Sequence, residues 1–218
     1  MKPKQYFTSI VILAVVSFGI PAVAELTFYT DRNAWEVAVD GGFALENFNS
    51  VDPYILTEGD NHAGQIRIEL VNVNQGNNYI GKSVSWSGWT PFFWGNLHRD
   101  DPEAMINLIF PSFVSAFGGD FESANSHDGL ILQVDGLQYQ LGNEMDDDSG
   151  TGFLGFVSTS AFVTMTLFDP VKNDSENGVC RFGESFGLDN VRFVAVPEPA
   201  TMLLLGLGGF VLRKRRKV

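Results

Sequence analysis

Two constellations in this chain have residue types and spacing that could do chemistry. Glu46, Asp189 and Asn190 offer carboxylate and amide oxygens, the donors of which Ca2+ takes six to eight. They could share an ion if the first long strand and the last are neighbours. Otherwise Glu46 is solvated and Asp189-Asn190 is a polar turn or edge. Trp86, Trp89, Phe92, Phe93 and Trp94 fall within nine residues, broken by Gly88, Pro91 and Gly95. Aromatics in a Gly/Pro-interrupted stretch can form an exposed platform on which sugar C–H faces stack, with Asn96, His98 and Arg99 bonding hydroxyls. The alternative is that these rings fill the core.

Other acidic groups are plainer. Glu144, Asp146, Asp147 and Asp148 are the densest run, but Gly150 comes too early for an EF-hand loop and no Glu closes it at the twelfth position, so a solvated hairpin loop is expected. Asp100-Asp101 and Asp120 with Glu122 are of the same kind. For catalysis the chain is poor. His62, His98 and His127 stand in no metal-ligand spacing, and there is no Gly-x-Ser-x-Gly elbow or phosphate-binding glycine loop. Ser126-His127-Asp128 are sequence neighbours, which on a strand point to opposite faces and so make no triad. Carboxylate pairs for glycoside hydrolysis stay open because acids are abundant, but a non-enzymatic protein is expected. Cys180 is the only cysteine, so no internal disulfide forms.

The elements that must position these residues are strands. One helix is expected after the strand Leu26 to Thr30, capped by Thr30 or Asp31, with Ala34, Trp35, Val37 and Ala38 as its apolar face and Gly41-Gly42 as its stop. Ile66, Ile68 and Leu70 alternate with Gln65, Arg67 and Glu69, as a half-buried strand requires. Further strands are expected at 44–48, 79–86, 105–110, 113–117, 130–134, 138–141, 153–157, 162–168 and 186–194. Asp135-Gly136 between apolar runs is a two-residue hairpin turn. Short strands separated by Gly, Asn and Asp clusters predict an all-β fold, an antiparallel two-sheet sandwich of jelly-roll type.

The two ends direct the chain. Lys2 and Lys4 precede an apolar run from Phe7 to Ile20, Pro21 breaks it, and Ala22-Val23-Ala24 supplies a small-x-small cleavage site, so 1–24 is a signal peptide. At the other end Val196-Pro197-Glu198-Pro199 precedes an apolar stretch, 200–212, and then Arg213-Lys214-Arg215-Arg216-Lys217. As a helix of about 20 Å the stretch is shorter than the roughly 30 Å hydrocarbon core, so it docks as a thin span with its arginines at the headgroups. The basic cluster belongs on the cytoplasmic side, which places the central domain, 25–195, outside.

Residues 196–218 resemble the PEP-CTERM sorting signal: Pro197-Glu198-Pro199, a short apolar helix with Gly206, Gly208 and Gly209, and a terminal Arg/Lys cluster. The resemblance implies a Gram-negative bacterium that secretes polysaccharide, transient residence in the inner membrane, and cleavage near the motif by an exosortase. It also implies final placement at the cell surface or in the extracellular matrix, in association with exopolysaccharide. The central domain resembles β-sandwich ectodomains that accompany this signal, through Trp35, Leu45-Glu46-Asn47-Phe48, Ser115 to Phe121, Gly152 to Phe156 and Phe186 to Phe193. That likeness extends to carbohydrate-binding sandwiches, and a calcium-stabilised carbohydrate-binding module is the alternative function.

Charge narrows the partners. The whole chain holds 14 Lys and Arg against 26 Asp and Glu, but the two ends carry half the basic residues and a single acid. The central domain is therefore near −18. Acidity of that size excludes nucleic-acid binding by charge and favours solubility or divalent cations.

Overall fold

The computed structural model describes residues 25–73, 78–82, 91–97, 104–124, 130–145, 150–169 and 185–197. The elements follow in order as β1 (Leu26–Tyr29), α1 (Arg32–Ala38), β2 (Ala44–Glu46), β3 (Tyr54–Ile55), β4 (Gly59–Ala63), β5 (Ile66–Val71), β6 (Tyr79–Lys82) and β7 (Pro91–Asn96). Then come β8 (Met105–Glu122), β9 (Ile131–Val134), β10 (Leu137–Gln140), α2 (Leu141–Glu144), β11 (Gly152–Phe168) and β12 (Ser185–Ala195). The pairings are antiparallel, and the described strands join into one hydrogen-bonded sheet of 12. The expected all-β antiparallel class is observed.

The strands are longer than the alternation suggests. The separate segments expected at 105–110 and 113–117 are one strand, β8, and those at 153–157 and 162–168 are one strand, β11. Pro111 and the Ser158–Ala161 stretch look like breaks in sequence, yet they bend the strands without ending them. Along its first half β8 lies between β5 and the end of β11, pairing Ile109 with Arg67 and with Thr164. Along its second half it lies between β12 and the start of β11, pairing Phe117 with Phe193 and with Phe156. Register shifts between Val157 and Phe162 and between Phe162 and Thr164 mark the bend.

The two halves share one core. Ile106, Leu108 and Phe110 are buried from the first half of β8, Val114, Phe117 and Phe121 from the second. The Phe110 ring lies 6.2 Å from Phe117, 5.8 Å from Phe162 and 5.4 Å from Phe193, so apolar rings span the bend. Ile66, Ile68 and Leu70 are buried on alternate positions of β5, as expected. The hairpin at Asp135-Gly136 is also observed: both residues have positive φ, 49° and 80°, which the tight turn between β9 and β10 demands. The helix α2, which takes Leu141 out of the preceding strand, and the polar strand β4 (GDNHA) carry no periodic signal and were not expected.

Asp31 caps α1, its Oδ1 accepting from Ala34 N at 2.7 Å. The expected four-residue apolar face is reduced to one residue. Trp35 is fully buried, whereas Val37 is 80% exposed. The cause lies beneath the helix. A methyl group on Gly118 or Gly155 would run into Trp35 and Phe153, so these glycines leave a trough in which the indole lies, its Nε1 donating to Phe156 O at 3.2 Å.

Both ends of the described domain leave from the bend. Glu25 N donates to Thr159 Oγ1 and Thr159 N to Glu25 O, at 2.9 and 3.0 Å. Val196 N donates to Phe113 O at 2.8 Å. The expected signal peptide, 1–24, and the apolar stretch 200–212 lie outside the described residues. No helix among those described is long and apolar enough to cross a membrane.

Candidate functional site

The second half of β8 carries the side chains that converge. Asp120 stands opposite Asp189 of β12 on one side and opposite Phe153 of β11 on the other, while Glu122 stands opposite Gly187. Phe117, Gly119 and Phe121 alternate with Gly118, Asp120 and Glu122, so the acids turn away from the core, toward the face that α1 covers in part. Arg32 reaches down from the first turn of α1, its Nη2 donating to Asp120 Oδ1 at 2.5 Å, and its guanidinium stands 5.7 Å from the centre of the Phe153 ring. Together these residues, with Phe92, Thr151, Leu188 and Asn190, line an open pocket of about 470 Å3. Desolvation pushes the Glu122 carboxyl up to about 7.

Asn190 sets the geometry of the pocket floor. Its φ is +49°, and the register of β12 against β8 slips there, three residues of β12 spanning two of β8 between Asp189 and Arg192. Its amide Nδ2 donates to Asp120 Oδ2 at 2.9 Å and to Asp189 Oδ2 at 3.3 Å, and its backbone N to Asp189 Oδ1 at 2.6 Å. Beyond the bulge Arg192 returns beneath the helix, buried between Phe43 and Phe153 at 5.9 Å from each ring. Burial lowers its pKa, with the Arg32 charge acting the same way and Asp120, Glu36 and Asp189 opposing it.

The bulge separates the three residues that could have shared an ion. The strand that carries Glu46 is a neighbour of the last one, although it is only three residues long: Glu46 of β2 stands opposite Val191. Val191 is a core residue, so Glu46 faces inward, while Asp189, on the other side of the slip, lines the pocket. Both oxygens of Glu46, which is 3% exposed, are occupied by backbone: Oε1 accepts from Phe48 N and Oε2 from Gln65 N, each at 2.6 Å. The structure thus does not assemble Glu46, Asp189 and Asn190 into one site. Among the described residues no group of three or more His, Cys, Asp or Glu side chains is placed to hold a metal ion.

The aromatic stretch is divided differently from the platform expected. Pro91–Asn96 is an ordinary strand despite its glycine and proline, with Phe93 in the core and Phe92 against the pocket. Trp94, half-buried, stands opposite Tyr79 and Gly187, and its ring meets Phe92 edge-on at 6.3 Å. Trp86, Trp89, His98 and Arg99 lie outside the described residues, as do Asp146 to Asp148, His127 and Cys180. Sequence reasoning took Asp120 and Glu122 for solvated acids and missed Arg32 and Phe153 altogether. The one available signal was the alternation of Asp120 and Glu122 with Phe117, Gly119 and Phe121; the partners across the sheet carry no local mark.

No curated protein matches the chain. A family model does match its end: residues 195–217 fit the PEP-CTERM protein-sorting motif, spanning Pro197-Glu198-Pro199, the apolar stretch and the basic cluster Arg213 to Lys217. By that motif the chain is an exported protein with a membrane-associated precursor, a substrate for exosortase processing.

Proposed function

We propose that the protein acts without catalysis at the cell surface or in the extracellular matrix, where its domain binds exopolysaccharide through the pocket on β8 and β12. The observation that carries this reading is the composition of the pocket: aromatic walls at Phe92 and Phe153 beside hydrogen-bonding groups at Asp120, Glu122, Asp189 and Arg32. Apolar faces for sugar C–H groups and polar groups for hydroxyls are what a carbohydrate requires of a site. Its location supports the same reading. Along β12, about 20 Å separate Leu188 in the pocket from Ala195 at the bend, so the pocket stands clear of the end that leads to the sorting motif. We also read the two halves of β8 and β11 as the two layers of a jelly-roll-like sandwich; the ring contacts across the bend support this.

A glycan array with the domain 25–196 tests the proposal. Polysaccharide binding is expected for the wild type, lost in Asp189→Asn and weakened in Trp94→Ala. Retention of an unchanged glycan profile in both variants would move the site elsewhere, and turnover of a bound glycan would replace a binding module by a glycoside hydrolase. Calcium is the second reading, supported by the opposed carboxylates of Asp120 and Asp189 at the bulge, without Glu46 and with Asn190 bridging them through its amide N–H2 rather than its oxygen.

A further inference from the structure

We propose that the bend of the fold is the membrane-facing pole of the docked precursor, with Phe113 and Val163 seated in the interfacial layer of the lipid. These two side chains are 58% and 38% exposed, large apolar groups left in water on the two strands that turn there. Phe113 is also the residue that holds the exit of the chain, since its carbonyl accepts from Val196 N at 2.8 Å. From Pro197 only three residues lead to Ala200, where the apolar stretch begins, a reach of at most about 10 Å. If 200–212 enters the bilayer, the bend has nowhere to go but its surface.

The short tether decides the energetics. Two exposed side chains on a free domain would bind lipid too weakly to matter, and a domain rich in carboxylates is repelled by anionic headgroups. A connection of three residues turns that contact into an intramolecular one, at an effective concentration in the mM range or above. Phenylalanine on the apolar side of an interfacial surface is a common lipid contact. Two acids lie near the bend, Glu25, held to Thr159 through its backbone, and Asp135, which accepts from Ser160 Oγ at 2.7 Å; both belong in the headgroup layer around the apolar pair. The inference rests on membrane docking of the precursor and is independent of what the pocket binds.

The uncleaved full chain, reconstituted in vesicles of phosphatidylethanolamine and phosphatidylglycerol doped with a diazirine phospholipid, provides the test. After irradiation, mass spectrometry maps the labelled residues. Labelling at 112–114 and 162–164 should exceed labelling at 120–122 several-fold, and Phe113→Ser with Val163→Ser should abolish that excess while 200–212 stays labelled. Label on 200–212 with none above background at the bend would overturn the proposal. Absence of label on 200–212 would overturn the docking itself. Cross-linking of the bend to co-reconstituted exosortase in place of lipid would assign the patch to the enzyme and likewise overturn it.

Discussion

Replacing Glu46 separates a structural clamp from a metal ligand. The carboxylate is buried and receives two short N–H bonds, from Phe48 and from Gln65, the latter in the Gly64-Gln65 turn that joins β4 to β5. It therefore ties β2 to that turn from a distance of 19 residues in sequence. A hydrogen bond to a charged group contributes about 1.5–3 kcal/mol, and the donors left behind are themselves shielded from water. Glu46→Ala should accordingly cost about 3–5 kcal/mol, a large part of the about 5–15 kcal/mol that holds a domain of this kind together. Glu46→Gln keeps one acceptor but turns an NH2 group toward a backbone N–H, so it should cost about 2–3 kcal/mol despite its shape. Urea unfolding of residues 25–196 gives both numbers, with an unchanged m-value as the sign that the same transition is being compared. The measurement is made with Ca2+ and with chelator. A clamp costs the same in both, whereas a calcium ligand would show its loss only when the ion is present. A cost under about 1 kcal/mol for Glu46→Ala would refute the reasoning.

Two further outcomes follow from the same packing and electrostatics. Glu122 holds its proton in the fold to about 7, above the 4.5 of an ordinary glutamate, so its charged form disfavours folding: stability is fully present below about 4.5 and is lost as pH rises through about 7. The unscreened ceiling is about 3 kcal/mol, and solvent reaching this side chain reduces it to about 1; Glu122→Gln should raise the stability at pH 8 by that amount and leave it unchanged at pH 4, and equal effects at both would contradict the assignment. Gly155→Ala places a methyl group against the Trp35 and Phe153 rings, backed by the sheet, and should lower stability by about 1–3 kcal/mol with a shift in the tryptophan emission that Gly136→Ala, in an open turn, does not produce.

What the sequence alone determined here is whatever is written locally. The alternation of Ile66, Ile68 and Leu70, the Asp31 cap and the Asp135-Gly136 turn each depend on a few adjacent residues, and each is observed. The sorting motif is local too, a contiguous run at 195–217 recognisable without any fold. What only the tertiary structure decided is register. One slipped residue at Asn190 sends Glu46 into the core and Asp189 into the pocket, because side chains alternate with period two and a single inserted residue reverses the faces beyond it. Pro111 and Ser158 to Ala161 carry the composition of a break, but the residues on both sides keep the β8–β11 pairing while the outer partners change, so the chain bends there instead of ending. The same holds for Arg32, Asp120 and Phe153. They lie far apart along the chain and meet only because β8 runs between β11 and β12 while Gly118 and Gly155 let Trp35 bring the helix down onto the sheet.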